Sequence, residues 1–414
     1  MRKVTGFLLW LYVFTVPWDI VEIPGVGSST RFVGIALIGA AVITVAAEGR
    51  FRKPDWIFGL AIAFTASSAL SLLWTMSYPA TVEAVWSFAQ LLGSLWVARE
   101  IARTREQQQW LLVALCLGVF VPLISLLNNF RMGVYHQSLA GRFTAEGFNA
   151  DAVGLLLTLG IPVAWHLART NHWAVRAVAL IYFALAPVAI LLTGTRGAFL
   201  AGIVAMSIVP LNLERPSLRS FLLVTVLLVI MTATIAPIVP RSMWARIATI
   251  PSEIAGGSMT KRRDIWQMGF DALPEHPLLG VGAGAYGALL ESHGERPLPA
   301  HNVLIGVLVE QGVVGLSLFT ALLGACALLI FRMPSPDRSL WAVLALSCLV
   351  GMMSINIERW KVTWLLFGLL SAQSGFAPLR HVRRAERKRA DAATRAALMG
   401  AALPTRAARI SASR

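Results

Sequence analysis

The chain has 414 residues, of which 57% are hydrophobic and only 14% are charged, and its net charge is +15. Soluble globular proteins carry about 25% charged residues, so this composition excludes an ordinary soluble domain and indicates a membrane protein. The positive charge does not indicate a nucleic-acid partner. Basic residues gather at the ends of apolar runs and in the tail from Arg380 to Arg414, which is the distribution expected of cytoplasmic segments beside anionic lipid.

Apolar runs long enough to cross about 30 Å of hydrocarbon recur along the whole chain. They predict an all-α polytopic membrane protein with about twelve transmembrane helices. The predicted spans lie near residues 4–20, 31–47, 56–74, 81–98, 109–127, 152–168, 175–193, 197–212, 219–239, 301–331, 339–355 and 361–378. A cytoplasmic amino terminus, which carries Arg2 and Lys3, makes the basic connections alternate consistently and puts both termini inside.

The predicted organisation has four parts. Residues 1–239 hold transmembrane helices 1–9, with an external loop at about 128–151. Residues 240–300 form a large external loop that contains short helices, 301–378 hold transmembrane helices 10–12, and 379–414 form a basic cytoplasmic tail. Long ordered loops in compact proteins are often functional, so we expect any chemistry on the external face.

Several basic residues lie on that external face. The preference of basic residues for cytoplasmic segments does not explain them, because they are on the opposite side of the membrane. Arg142 lies in the first long loop, Arg196 in the tight turn TGTRG at 193–197, and Lys261, Arg262 and Arg263 lie together in the second loop. Guanidinium groups bind phosphate oxygens through a planar fork and stay charged at any working pH. Converging arginines would suit a lipid phosphate or pyrophosphate. Snorkelling to lipid headgroups is the competing explanation, and it applies most to Arg31, Arg241, Arg246, Arg296 and Arg359.

One of the seven histidines stands apart. His301 follows two prolines, precedes Asn302 and opens the apolar run from Val303. The positive end of a helix disfavours imidazolium, which leaves the ring neutral and able to accept a proton from a hydroxyl. A structural capping role is the alternative.

The sequence predicts neither a metal nor a cofactor. The external carboxylates are scattered, with no DxD or ExxE pair for a divalent cation. Cys116, Cys326 and Cys348 all lie in apolar runs, which argues against a disulfide framework or a zinc site. GAGAYG at 282–287 matches the dinucleotide pattern GxGxxG, but the strand that should precede it is missing. Its glycines are better explained by a tight loop or by close packing.

Four stretches, in this order, resemble the O-antigen ligase family of bacterial envelope enzymes. They are TGTRGAFL at 193–200, KRRDIW at 261–266, HPLLGVGAGAY at 276–286 and AHNVLIGVLVEQGVVG at 300–315. The resemblance implies a C-type glycosyltransferase-like fold in the inner membrane with its active site facing the periplasm. It also implies an O-antigen ligase that transfers glycan from undecaprenyl pyrophosphate to a sugar hydroxyl of lipid A-core, without metal or nucleotide sugar.

The resemblance also implies site residues. The family's arginine in the TGxRG turn falls on Arg196, and its arginine before a tryptophan falls on Arg262, with Arg263 beside it. Arg142, in GRFTAEGFN, resembles a further family arginine. These groups would hold the pyrophosphate, and His301 would be the general base of an inverting displacement. Supporting candidates are Thr195, Lys261 and Asn302.

Other functions fit parts of the same pattern. An O-antigen polymerase would use the same donor and a growing lipid-linked chain as acceptor, and a protein O-oligosaccharyltransferase would use a serine or threonine. A lipid or glycan transporter would need ionisable residues along a path at mid-membrane, whereas the predicted spans have almost none in their centres.

Overall fold

The computed structural model describes residues 2–19, 22–23, 27–49, 51–135, 141–211, 237–255, 262–335 and 337–375. The described residues up to Ser374 belong to one compact unit. The predicted basic tail at 379–414 lies outside the described residues.

The described part of the chain is built almost entirely of helices. The helices are α1 (Arg2–Thr15), α2 (Ser29–Glu48), α3 (Trp56–Leu70), α4 (Tyr78–Ile101), α5 (Arg105–Arg131), α6 (Ala150–Thr170), α7 (Trp173–Leu192), α8 (Arg196–Met206), α9 (Ile208–Leu211), α10 (Arg241–Ala248), α11 (Ile250–Ala255), α12 (Arg262–Ala272), α13 (Tyr286–Ser292), α14 (Val303–Arg332), α15 (Asp337–Met352) and α16 (Lys361–Gln373). Short 3-10 turns follow α1 at Val16–Trp18 and α3 at Ser71–Leu73. Two two-residue strands, β1 (Glu22–Ile23) and β2 (Gly27–Ser28), pair antiparallel before α2.

Six of the described helices are long and apolar enough to cross a membrane. They are Ser29–Glu48, Trp56–Leu73, Arg105–Arg131, Ala150–Thr170, Trp173–Leu192 and Val303–Arg332. The expected all-α membrane architecture is therefore present. The count of twelve spans stays a prediction, because the predicted span at 219–239 lies outside the described residues except at its end.

Polar side chains fix where several of these helices begin. The Asp55 carboxylate accepts a hydrogen bond from the Phe58 amide at 2.9 Å at the start of α3. Thr104 forms a capping box at the start of α5, and Asn149 accepts from an amide of the first turn of α6. Such caps satisfy amides that have no partner within the helix. They set the register with which each apolar run enters the bundle.

The central helix of the bundle is α6, which is buried along nearly its whole length. It packs against α5, α7, α8 and α15. Gly160 lets α7 approach closely, and the Tyr182 hydroxyl donates to the Leu157 carbonyl at 2.7 Å. Small residues at helix contacts allow such close approach in membrane bundles. Helices α6 and α7 are therefore in close contact at this point.

The glycine-rich segment HPLLGVGAGAY packs against a break in α14. At Gly312 the backbone leaves the helical region (φ 64°, ψ −165°). The amides of Val281 and Gly282 donate to the freed carbonyls of Val309 and Glu310 at 3.0 and 2.8 Å. A Cβ at Gly280, where φ is +66°, would lie 2.5 Å from the Gln311 nitrogen. The glycines therefore serve close packing, as expected from the missing nucleotide-binding strand.

A charge network lies at the other end of α3 and α4. Arg99 is fully buried, and its guanidinium lies 3.5 Å from the Asp55 carboxylate and 3.6 Å from that of Glu100. Arg52 donates to the carbonyls of Arg99 and Ala372 at 3.0 and 2.7 Å. The network ties α3, α4 and the end of α16 together, far along these helices from the glycine-rich segment.

Candidate active site

A cavity of about 760 Å³ lies where the turn before α8, the helices α10 to α13 and the start of α14 meet. Its wall combines basic, acidic and apolar side chains. The arginines are Arg142, Arg196, Arg246, Arg262 and Arg296, and the carboxylates are Asp151, Glu253, Asp264 and Glu295. His301 and Asn302 line it as well, and Leu200, Val350 and Met353 form an apolar part. The cavity thus brings three of the four resembling stretches together.

The tight turn between α7 and α8 presents Arg196 to the cavity. Gly194 has a positive φ of 57°, which favours glycine, and a Cβ there would lie 2.7 Å from the Met243 sulfur. The turn lets α8 begin at Arg196 itself, so its guanidinium lies at the end of a packed helix. A group held in this way needs little reordering to meet a ligand.

The guanidinium of Arg196 contacts both short helices of the segment after residue 240. Its Nε donates to the Arg246 carbonyl at 3.3 Å, and its Nη1 lies 3.2 Å from the Glu253 carboxylate. In return, Arg246 Nε donates to the Gly194 carbonyl at 3.3 Å. These bonds fasten α10 and α11 to the turn that carries Arg196.

Arg142 is almost completely buried, and its guanidinium is already bonded within the protein. Its Nε donates to the Thr193 carbonyl at 2.8 Å and its Nη2 donates to the Thr195 hydroxyl at 2.5 Å. Nη2 also pairs with Asp151, whose carboxylate accepts from the Thr195 hydroxyl at 3.0 Å. Arg142 therefore braces the turn and contributes positive charge to the cavity wall. Thr195, a supporting candidate from the sequence, belongs to the same group: its hydroxyl accepts from Arg142 and donates to Asp151.

Of the two neighbouring arginines in KRRDIW, Arg262 lines the cavity and Arg263 does not. Arg262 is half-buried at the start of α12, whereas Arg263 is exposed. Burial lowers the pKa of Arg262, as do the charges of Arg196 and Arg142, while Asp151 and Glu253 oppose the shift. The charge of Arg262 therefore acts in the same space as those of Arg196 and Arg142. Lys261 lies outside the described residues.

Two hydrogen bonds hold α12 against the segment that leads into α14. The Trp266 indole donates to the Ala300 carbonyl at 2.7 Å, one residue before His301. The Tyr286 hydroxyl donates to the Ile265 carbonyl at 2.8 Å. Because both bonds end on backbone carbonyls beside site residues, they fix the position of Arg262 relative to His301.

His301 occupies an unusual backbone conformation just before α14. Its φ is 51°, and it is the one non-glycine residue with positive φ in the described part of the chain. Helix α14 begins at Val303, so the capping residue is Asn302, whose Oδ1 accepts from the Leu304 and Ile305 amides at 3.0 and 3.2 Å. Strained conformations of this kind cost about 1–3 kcal/mol and cluster at functional sites. The cap of α14 is therefore supplied by Asn302 and not by His301.

The His301 imidazole is half-buried and faces the cavity. Its Nδ1 is buried without a hydrogen-bond partner among the described residues. Burial lowers the pKa of His301 below its ordinary value, and the charge of Arg262 lowers it further, while Asp151 opposes the shift. The ring is therefore neutral near pH 7, which is the state that a proton acceptor requires.

The sequence did not single out Arg246 and Glu253. Arg246 is an arginine for which snorkelling to headgroups was the competing explanation, but it lines the cavity. Burial lowers its pKa, and so do the neighbouring charges of Arg142 and Arg196. Arg246 lies 50 residues from Arg196 along the chain. No local spacing could have joined the two, because α10 and α11 meet the turn only in the folded chain.

The described residues contain no group of three or more histidine, cysteine, aspartate or glutamate side chains placed to hold a metal ion. Metal independence stays a prediction that only a transfer assay tests.

Residues 180–320 match the model of a family described as O-antigen ligase. This range contains Arg196, Arg262 and His301. No curated protein matches the chain. Together with six candidate spanning helices, the match makes the chain a membrane-embedded protein with activity of the general O-antigen ligase or polymerase type, acting on lipid-linked glycans. The match confirms, over residues 180–320, the resemblance to the O-antigen ligase family that the four sequence stretches predict.

Proposed function

We propose that this protein is an O-antigen ligase of the bacterial inner membrane. It transfers O-antigen glycan from undecaprenyl pyrophosphate to a sugar hydroxyl of lipid A-core on the periplasmic face. The observation that carries the proposal is the cavity itself, where the His301 imidazole, whose pKa is lowered by burial, faces the same space as several arginines. The identities of donor and acceptor rest on the family resemblance.

The arginine wall suits the pyrophosphate of the donor. Arg196 and Arg262 present half-buried guanidinium groups to the cavity, and Arg142 holds the turn in place while adding charge. Guanidinium groups bind phosphate oxygens in pairs and can stabilise the charge that develops as pyrophosphate leaves. The adjoining apolar wall with Leu200 and Val350 suits the lipid end of such a donor.

In the proposed reaction His301 accepts the proton of the acceptor hydroxyl. The hydroxyl oxygen attacks the anomeric carbon of the donor sugar from the face opposite the pyrophosphate. The bond between that carbon and the pyrophosphate oxygen breaks, its electron pair leaves with the polyprenyl pyrophosphate, and the anomeric configuration inverts. Arg196 and Arg262 stabilise the leaving group, so no metal is needed for charge neutralisation.

The choice of acceptor separates a ligase from its relatives. We expect purified protein in EDTA to move glycan from undecaprenyl pyrophosphate onto lipid A-core. The measurement is the size shift of labelled lipid A-core on a gel, with lipid-linked glycan and a serine- and threonine-containing peptide as competing acceptors. Chain growth on the lipid-linked glycan instead would identify a polymerase, and transfer to the peptide would identify a protein glycosyltransferase. Either result would contradict the ligase proposal.

A further inference from the structure

Among the residues that the structure describes, two ion pairs between arginine and carboxylate lie in the cavity wall, and they differ in accessibility. Arg142 and Asp151 form a pair in which the arginine side chain is only 7% exposed, with further bonds to the 193–195 turn. Arg196 and Glu253 form a pair in which both side chains face the cavity and are 28% and 22% exposed. The first pair is part of the framework. The second lies where a ligand can reach it.

Glu253 already occupies part of the fork of Arg196. Nε donates to the Arg246 carbonyl and Nη1 lies 3.2 Å from the Glu253 carboxylate, so each two-nitrogen edge of Arg196 includes one nitrogen that already has a partner. A phosphate that binds the Nη1–Nη2 edge in the bidentate manner therefore competes with the carboxylate for Nη1. Two negatively charged groups cannot share one guanidinium edge without strong repulsion.

The chain geometry permits this displacement without loss of the turn. Glu253 belongs to α11, whereas the bonds that hold Arg196 and the 194 carbonyl come from Arg246 in α10. Release of Glu253 leaves those two backbone contacts intact. The carboxylate can therefore exchange with a ligand while the guanidinium stays in position.

We propose that Glu253 is an internal competitor for the phosphate site and sets its affinity. This inference rests on the proposed function, in which Arg196 binds the donor pyrophosphate. When the cavity is empty, Glu253 neutralises Arg196; a phosphate replaces it on binding, and Glu253 returns when the phosphate leaves. The residue lowers the affinity for every ligand that needs Arg196. It thereby favours release of the polyprenyl pyrophosphate product and keeps abundant phosphate headgroups off the site.

The test measures binding of inorganic pyrophosphate and inorganic phosphate to the purified full chain by calorimetry. Glu253→Gln keeps the side-chain shape and removes the charge. We expect it to tighten binding of both anions by about two- to fivefold, the range for an accessible ion pair. Glu253→Ala should act in the same direction. Glu291→Gln, an equal charge change on an exposed residue of α13 outside the cavity wall, should leave both affinities unchanged.

A double-mutant cycle separates competition from a general change in field. In an Arg196→Ala background, Glu253→Gln should give no further gain in affinity. Equal gains with and without Arg196, or no gain in the wild-type background, would overturn the proposal. So would wild-type binding that is insensitive to Arg196→Ala.

The binding measurements, taken together with the glycan-transfer assay, distinguish this inference from the proposed function. One outcome is that Glu253→Gln tightens anion binding only when Arg196 is present while wild-type protein transfers no glycan. That result would support Glu253 as a competitor and contradict the ligase reaction. If wild-type protein transfers glycan and Glu253→Gln has the same anion affinity as Glu291→Gln, the ligase reaction is supported and the competitor role of Glu253 is contradicted. Anion binding that is absent from wild type and all variants would count against both.

Discussion

The arginines of the cavity differ in burial and in the partners that their guanidinium groups have within the protein. The Arg142 guanidinium donates to Thr193 and Thr195 and pairs with Asp151, so it works through the turn that it holds. Arg196 and Arg262 are half-buried and face the open space. We therefore assign direct phosphate contact to these two and a positioning role to Arg142.

Arg262 and Arg263 are neighbours in the KRRDIW stretch, but their substitution should affect the transfer rate differently. Arg262→Ala should lower the transfer rate by about 10²–10³-fold, the usual cost of losing one donor to a developing negative charge. Arg263→Ala removes the same group one residue later, on a side chain that is exposed and outside the cavity wall. It should keep most of the rate. Initial rates of transfer by equal amounts of folded protein decide the matter, and comparable losses in both variants would contradict the assignment.

The pKa of His301 predicts a pH dependence with a definite sign. Only the neutral ring accepts a proton, so the transfer rate should fall as the pH drops through the pKa of His301. Burial and Arg262 lower that pKa, which places the acid limb below the ordinary value of about 6.5. Arg262→Gln removes one of the lowering charges, so the acid limb of its remaining activity should move to higher pH. Rate profiles between pH 4.5 and 8 test this, and an unmoved or downward-moved limb would contradict it.

Residue types and motif spacing were enough to predict His301, Arg196 and Arg262 as candidates. They were not enough to choose Arg262 over Arg263, because that choice depends on which side of α12 packs against the Ala300 carbonyl. Arg246 and Glu253 could not be found in this way either. Their contacts with the 194–196 turn come from tertiary packing of two short helices that carry no distinctive local pattern.

At the scale of elements, the break in α14 determines where the segment between α12 and α14 lies. The apolar run 301–331 predicted one continuous span, and α14 does cover most of it. The sequence pattern did not reveal that Gly312 leaves the helical region and that residues 277–282 bond to the freed groups. A single glycine in an apolar run is compatible with an intact helix, so this break becomes visible only with its partner segment in place.

Glycine substitutions test the break with a matched control in the same helix. Gly312→Ala puts a side chain at φ 64° against the Leu278 backbone and should lower the free energy of unfolding by about 1–3 kcal/mol. Gly324→Ala adds the same methyl group at a helical position with no atom within 4 Å. It should be neutral or slightly stabilising. Thermal unfolding in detergent compares them, and equal midpoints would mean that the break is not needed.

At the scale of the whole molecule, charged groups gather at the two ends of the bundle for different reasons. The cavity end holds arginines and carboxylates that face open space. The other end of α3 and α4 holds the buried network of Arg99, Asp55 and Glu100. The apolar runs and the all-α membrane class could be predicted from the sequence. The network could not, because it joins residues 52–55, 99–100 and 372, which lie in three separate segments of the chain.

The network around Arg99 should affect the free energy of unfolding and have no effect on the transfer rate. Arg99→Met strips two carboxylates of their buried partner and should cost about 3–5 kcal/mol. Arg2→Gln breaks the more exposed pair with Glu48, whose side chains are 3.2 Å apart, and should cost at most about 1 kcal/mol. Unfolding by denaturant in detergent measures both, and the transfer rate per folded molecule should be unchanged. A selective loss of transfer rate in Arg99→Met would place this end of the bundle in the reaction.

In the proposed reaction, His301 removes the proton from the acceptor while the arginine wall holds the donor. The most direct measurement compares wild type, His301→Gln and His293→Gln in transfer to lipid A-core with EDTA present, alongside binding of polyprenyl pyrophosphate. His293 is a loop histidine outside the cavity wall, and its substitution controls for general effects. We predict that His301→Gln keeps ligand binding but loses about 10²–10⁴-fold in rate, while His293→Gln behaves as wild type. A near-normal transfer rate of His301→Gln would mean that His301 is not the general base.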